Sequence, residues 1–168
     1  MRVGVALGSN LGDRLANLQA AREAISAIPG VSQLKASEIY ETEPVGCEAG
    51  AKPFLNAVVE FSYSGAAAEL FYQLRETEVA LGRPAEHLRN VSRTIDIDLL
   101  YFGNVVMHTQ QLTLPHPRVT SRQFVLQPLA DIAPDLVLPG QTKTIRELLA
   151  SAPQSGKVVR STLQWQSA

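Results

Sequence analysis

Cysteine is nearly absent from this chain of 168 residues, and histidine is scarce. Cys47 stands alone, which excludes an internal disulfide. With His87, His108 and His116 scattered, a zinc site of thiolates and imidazoles is disfavoured as well. An excess of one charge is also missing: 15 basic residues face 16 acidic ones, for a net charge of -1. That balance argues against broad electrostatic binding to nucleic acid or to a membrane surface. No run reaches the roughly 18 apolar residues of a spanning helix. The opening Met1-Arg2-Val3-Gly4-Val5-Ala6-Leu7-Gly8 lacks the apolar length of a signal peptide, so a cytoplasmic protein is expected. Repeats and low-complexity linkers are absent. A hydrophobic content of 45% in a chain of this length fits one well-buried domain.

What is present centres on Ser92-Arg93-Thr94-Ile95-Asp96-Ile97-Asp98-Leu99-Leu100-Tyr101-Phe102. Read as a strand, it points Asp96 and Asp98 to one side, and Ile95, Ile97, Leu99 and Tyr101 to the other. Aspartates at i and i+2 lie roughly 7 Å apart at their backbones, close enough to converge on one or two hard cations. The plainer alternative is an exposed face that carries two acids. Leu100 and Phe102 continue the acidic side as apolar residues, so that side is expected to be covered, and covered carboxylates need a counter-charge. Arg93 is a candidate for anion contact where the strand begins.

Around this stretch the sequence alternates strands and helices. Arg2 to Leu7 reads as a buried strand, ended by Gly8-Ser9-Asn10-Leu11-Gly12-Asp13. Leu15, Leu18, Ala21, Ile25 and Ile28 predict a helix that stops at Pro29-Gly30. Asn10 or Asp13 can cap it, and Gly8-Ser9-Asn10 can alternatively form an anion-binding turn. Residues 31–40 lean towards strand, and 41–53 have the composition of a loop. Phe54 to Tyr63 gives the cleanest alternation in the chain: Leu55, Ala57, Val59, Phe61 and Tyr63 on one face, Phe54, Asn56, Val58 and Glu60 on the other. Asn56 beside Phe54 suits a flat heterocycle, or a neighbouring loop that needs its amide. Ala66 to Leu81 predicts a helix with Glu78 in the middle of its apolar stripe, either where the helix emerges or paired at a site. A polar, basic connector over 83–92 suits either solvent or a phosphate-gripping flap. Gly103-Asn104 predicts a hairpin between Leu99–Phe102 and Val105–Met107. A short helix over Ser121–Leu129 carries Arg122 and Phe124 in its first turn, and Ile145–Leu149 reads as an amphipathic segment within a C-terminal wrapping. The order is βαββαβ with an extra hairpin and C-terminal helices, the split βαβ pattern of an α+β, ferredoxin-like sandwich.

Five separated blocks together resemble the 6-hydroxymethyl-7,8-dihydropterin pyrophosphokinase family over about residues 1 to 139. They are Gly8-Ser9-Asn10-Leu11-Gly12; Tyr40-Glu41-Thr42-Glu43-Pro44-Val45-Gly46; Phe54-Leu55-Asn56-Ala57; Arg93 to Gly103; and Leu114-Pro115-His116-Pro117 with Arg122 and Phe124. The resemblance implies transfer of a pyrophosphoryl group from ATP to the hydroxymethyl of a reduced pterin, releasing AMP, by a single domain that acts as a monomer. It implies that Asp96 and Asp98 hold two magnesium ions. Thr42, Val45, Phe54, Asn56 and Phe124 match the pterin pocket, and Glu78, Arg83, Arg93, Ile97, His116 and Arg122 match positions around the nucleotide. Arg83 and Arg93, with the two aspartates, are the groups expected to act on the phosphates. In-line attack at phosphorus needs neutralised oxygens more than a strong base, and no residue stands out as one.

The chain departs from the family in three places. Arg89-Asn90-Val91-Ser92-Arg93 stands where Arg-Trp-Gly-Pro-Arg is frequent, Ala85 replaces an arginine, and Phe54 replaces a common tyrosine. The first change removes an indole and a glycine, so a looser closure over the nucleotide is expected. Two alternatives remain at this point: a paralogue that holds pterin or nucleotide without turnover, and another metal-dependent phosphoryl or nucleotidyl transferase built on a D-x-D strand.

Overall fold

The computed structural model describes residues 1–43, 50, 52–82, 94–153 and 157–166. Val45, Arg83 and Arg93, and the altered segment 89–93, lie outside them. The main sheet contains β1 (Arg2–Ser9), β2 (Val31–Ala36), β3 (Tyr40–Thr42), β4 (Phe54–Tyr63), β5 (Asp96–Phe102) and β8 (Val158–Arg160). Its order is β5-β1-β4-β3-β8, with β2 also on β4, and every pairing in it is antiparallel. Helices α1 (Arg14–Ser26) and α2 (Ala67–Ala80) cover one face; α3 (Gln123–Ile132) and α4 (Ile145–Ser151) cover the other. A small separate sheet joins β6 (Met107–His108) to β7 (Thr113–Leu114).

Strand β1 shows why the two faces differ. Its large residues Val3, Val5 and Leu7 are fully buried with Leu18, Ala21 and Ile25 of α1 and Leu70 and Leu74 of α2. Its small residues Gly4, Ala6 and Gly8 face the α3 side. At one end this low floor is filled, because a Cβ on Gly4 would sit 2.2 Å from the Tyr101 ring. The Tyr101 hydroxyl donates to Glu60, whose carboxylate also accepts from Arg2 Nε at 2.7 Å and lies 3.3 Å from Lys35 Nζ. Burial and that carboxylate push the Tyr101 phenol far up, so it stays a donor.

The alternation read over 54–63 holds: Leu55, Ala57, Val59, Phe61 and Tyr63 join the α1/α2 core, and Val58 joins the α3/α4 core. Strand β5 follows its expected alternation only to Leu100. Val5 pairs with Leu99 and Gly4 with Tyr101, so Leu100 is an extra residue and the faces exchange beyond it. Tyr101 therefore joins Leu100 on the α3 side, and Phe102 joins Ile97 and Leu99 on the other, the reverse of the sequence reading. The turn at Gly103 forms, with φ of 52° and Val105 N–H donating to Phe102 O at 3.0 Å. The chain after it pairs with 113–114 instead of returning along β5. The outer edge of β5 is already engaged, by His116 N–H on Leu100 O at 2.8 Å and by Glu78 on Ile97 N–H at 2.7 Å.

Asp13, rather than Asn10, caps α1, accepting from Ala16 N–H at 3.0 Å. Asn10 is buried and donates to Lys52 O at 3.2 Å. β3 reaches Thr42, two residues into the stretch read as loop, and β8 extends the sheet beyond it.

Candidate active site

The site candidates gather on the α3 face over the small end of β1. Register aligns Tyr40, Asn56, Gly8 and Asp96 in one row across β3, β4, β1 and β5. The next row is Val58, Ala6 and Asp98. Side chains of one row share a face, so Asp96 and Asp98 project beside Asn56 with only a glycine and an alanine between. Two strand spacings separate Asn56 from Asp96, roughly 10 Å, enough for a ligand lying on the floor.

At one end of the row, Thr42 and Phe54 pair directly, placing an aromatic ring and a hydroxyl beside Asn56. Asn56 Nδ2 donates to Thr42 Oγ1 at 2.6 Å, and both residues are buried. That bond fixes the amide. A Cβ on Gly8 would lie 3.2 Å from Asn56 Oδ1 and 3.6 Å from Phe54 Cδ1, so glycine keeps the floor open beside the amide oxygen. In the sequence Gly8 reads as part of a turn after the strand, whereas it lies within β1, and only the pairing of β1 with both β4 and β5 shows what its missing side chain does.

At the other end, Asp96 and Asp98 are half-buried and alternate with the buried Ile97. The Ile97 side chain packs into the α1/α2 core, away from the aspartates. Its N–H points away from β1 and donates to Glu78 Oε2, and strand geometry turns its carbonyl to the same outer edge. The Ile97 side chain is thus closed off in the core, and only its backbone faces this edge. Glu78 is buried in the last turn of α2, its carboxylate accepting from Ile97 N–H and lying 3.7 Å from Arg75 Nε.

His116 follows the cis Leu114–Pro115 peptide and approaches Asp96 closely enough to feel its charge. Burial, with Arg122 and Arg118 nearby, pushes its imidazole down to about 4, against the opposing pull of Asp96. The ring is neutral at pH 7. Its Nδ1 accepts Arg118 N–H at 3.1 Å, so the remaining proton sits on Nε2 and can be donated to an anion. Arg122 forms the N-cap of α3, its guanidinium 5.4 Å from the centre of the Phe124 ring. Phe124 packs on the α3/α4 core together with Ala6 of the floor. The arrangement is therefore bipolar: amide, hydroxyl and aromatic groups at one end, and carboxylates, an imidazole N–H and a guanidinium at the other.

Among the described residues no three His, Cys, Asp or Glu side chains gather as a metal cage. Two hard carboxylates on one strand face suit a cation such as magnesium, which binds proteins through one or two carboxylates and keeps several waters. The residues fit that ion.

The model of the family described as 7,8-dihydro-6-hydroxymethylpterin-pyrophosphokinase matches residues 4–134. The chain is 39% identical over 155 residues to the 2-amino-4-hydroxy-6-hydroxymethyldihydropteridine pyrophosphokinase of Pseudomonas aeruginosa, covering 92% of this chain and 94% of that one. To the protein of the same name from Methylorubrum extorquens it is 41% identical, covering 92% and 96%, and to that from Bacillus subtilis 44%, covering 76% and 75%. Among solved structures, the Plasmodium falciparum HPPK-DHPS with pteroate superposes with a TM-score of 0.68 over 89% of this chain at 14% identity. This chain spans only 42% of that longer protein, so the likeness bears on the fold. With the family model matched over most of its length and relatives this similar along nearly all of theirs, the chain belongs to the 7,8-dihydro-6-hydroxymethylpterin-pyrophosphokinase family.

Proposed function

We propose that this protein transfers the pyrophosphoryl group of ATP to 6-hydroxymethyl-7,8-dihydropterin, giving AMP and the pterin diphosphate, a step of folate biosynthesis. The observation that carries this reading is the shared row of Asn56, Gly8 and Asp96: a buried amide beside an aromatic ring and a pair of carboxylates lie on one floor. The pterin hydroxyl oxygen attacks the β-phosphorus and gives up its proton to solvent, the bond from that phosphorus to the oxygen shared with the α-phosphate breaks, and AMP leaves with that oxygen. Asn56 and Thr42 read the edge of the pterin, while Phe54 and Phe124 offer it aromatic faces. Asp96 and Asp98 would hold two magnesium ions, which would supply charge neutralisation on the phosphate oxygens. His116 donates from Nε2 to a phosphate oxygen, and Arg122 adds positive charge beside it. Glu78 keeps Ile97 backbone in place for the nucleotide. Arg83, Arg93 and Val45 take their roles, on phosphates and pterin, from the family resemblance alone.

The same reading takes the framework as a ferredoxin-like split βαβ, supported by β5, β1, β4 and β2 in that order with α1 and α2 on one face. It takes the protein as a cytoplasmic monomer that acts on small molecules. Among the described residues no helix is long and apolar enough to cross a membrane. Asp96→Asn and Asp98→Asn, assayed over a magnesium titration, test the assignment. Each is expected to abolish turnover while pterin alone still binds; near-normal turnover of either at saturating magnesium would remove the metal role.

A further inference from the structure

Chain beyond the part that matches the family model returns to the site from behind. Strand β8 pairs with β3 through Thr42 and Val158, Glu41 and Val159, and Tyr40 and Arg160. Ser161 N–H donates to Ile39 O at 2.8 Å. Alternation along an antiparallel pair then makes Glu41 and Val159 the next couple to exchange backbone bonds. Further on, Trp165 Nε1 donates to Ser37 O at 2.7 Å, and Arg22 of α1 lies 4.9 Å from the centre of its ring. Ser37 is itself tied to β4, its N–H donating to Val58 O and its hydroxyl accepting from Val58 N–H, both at 2.9 Å.

These contacts fall at both ends of β3, a strand of only three residues whose last member, Thr42, accepts from the Asn56 amide. A strand that short, paired on one side only, frays readily. We propose that residues 158–165 form a strap that holds β3 in register and so positions Thr42, and through it the Asn56 amide, for the pterin; Val159 and Trp165 are its positioning residues. The proposal rests on the reading of Asn56 and Thr42 as pterin contacts. It makes the strap selective: β8 backs the heterocycle end of the floor, at the opposite edge of the sheet from the strand that carries Asp96 and Asp98.

The test uses the full chain with Val159→Pro, which removes the backbone donor at a half-exposed position, and Val159→Ala, which keeps it. Trp165→Ala probes the far anchor. Amide exchange of Glu41 and Thr42 is followed beside titrations with 6-hydroxymethyl-7,8-dihydropterin and with a non-hydrolysable ATP analogue. Val159→Pro is expected to speed exchange in β3 by about tenfold or more. It should weaken pterin binding about fivefold, the size of a partly lost hydrogen bond, with nucleotide affinity held within about twofold. Val159→Ala should match the parent, and Trp165→Ala should move in the direction of Val159→Pro. Unchanged exchange in β3, or pterin and nucleotide affinity falling together, would overturn the proposal. Asn56→Ala, run in parallel, separates the two ideas: if it leaves pterin affinity unchanged the pocket reading fails, while exchange in Val159→Pro still decides whether the strap holds β3.

Discussion

Removing the Glu78 carboxylate exposes how β5 is held between its two aspartates. Glu78 and Ile97 are only 3% and 5% exposed, and the bond from Ile97 N–H to Glu78 Oε2 is 2.7 Å long. In Glu78→Ala the N–H remains buried without its acceptor, at a cost of about 1–3 kcal/mol. Lost packing of the side-chain methylenes adds roughly 1 kcal/mol. Together about 2–4 kcal/mol is a large part of a typical domain's stability, and at roughly 2–4 °C per kcal/mol the midpoint should fall by several degrees or more. Glu78→Gln keeps an acceptor oxygen for the Ile97 N–H and gives up the charge that faces the half-exposed Arg75, a pair worth about 0–1 kcal/mol. Thermal unfolding and exchange of the Ile97 amide measure both effects. Exchange should accelerate strongly in the alanine variant and little in the glutamine variant, and turnover should follow the same order, because Asp96 and Asp98 flank the loosened residue. If glutamine cost as much as alanine, or if alanine cost less than about 1 kcal/mol, the hydrogen bond would not be what holds this edge.

Gly8→Ala should weaken pterin binding while sparing the fold, since its Cβ would arrive 3.2 Å from Asn56 Oδ1 and push on the amide; calorimetric titration showing unaltered pterin affinity would contradict the open floor. Asn56→Ala should weaken pterin binding by roughly 1–3 kcal/mol and leave ATP affinity nearly unchanged, measured by the same titration. His116 is lowered from 6.5 to about 4 in the folded protein, so its contribution to stability is complete above 6.5 and is lost as pH falls towards 4. Denaturant unfolding of the parent and of His116→Gln across that window should show the gap between them changing with pH; a constant gap would mean that the ring is not held neutral.

The sequence made the most of elements whose partners are uniform. Along Phe54–Tyr63 both faces meet apolar layers, so alternation alone sorts Leu55 from Asn56 correctly. Asp96 and Asp98 obey the same rule. Tyr101 and Phe102 escape it because Leu100 is inserted where Tyr101 settles over Gly4, a contact with a residue almost a hundred positions away. The Gly103 turn was legible, but where the chain goes next depends on who already occupies the edge of β5, and that is decided by His116 and Glu78. β8 carries no pattern of its own: Val158, Val159 and Arg160 are strand only because β3 is beside them. Gly8 is the harder lesson, since a floor made of absent side chains leaves no periodic signal.

Pyrophosphoryl transfer at the Asp96/Asp98 end of the floor is the activity proposed for this protein. Its most direct test is the product balance with ATP, magnesium and 6-hydroxymethyl-7,8-dihydropterin, followed by phosphorus NMR and chromatography. AMP and pterin diphosphate are expected in equal amounts from the parent protein, and neither from Asp96→Asn. Formation of ADP or free pyrophosphate in place of AMP and pterin diphosphate, or unreduced turnover by Asp96→Asn, would contradict it.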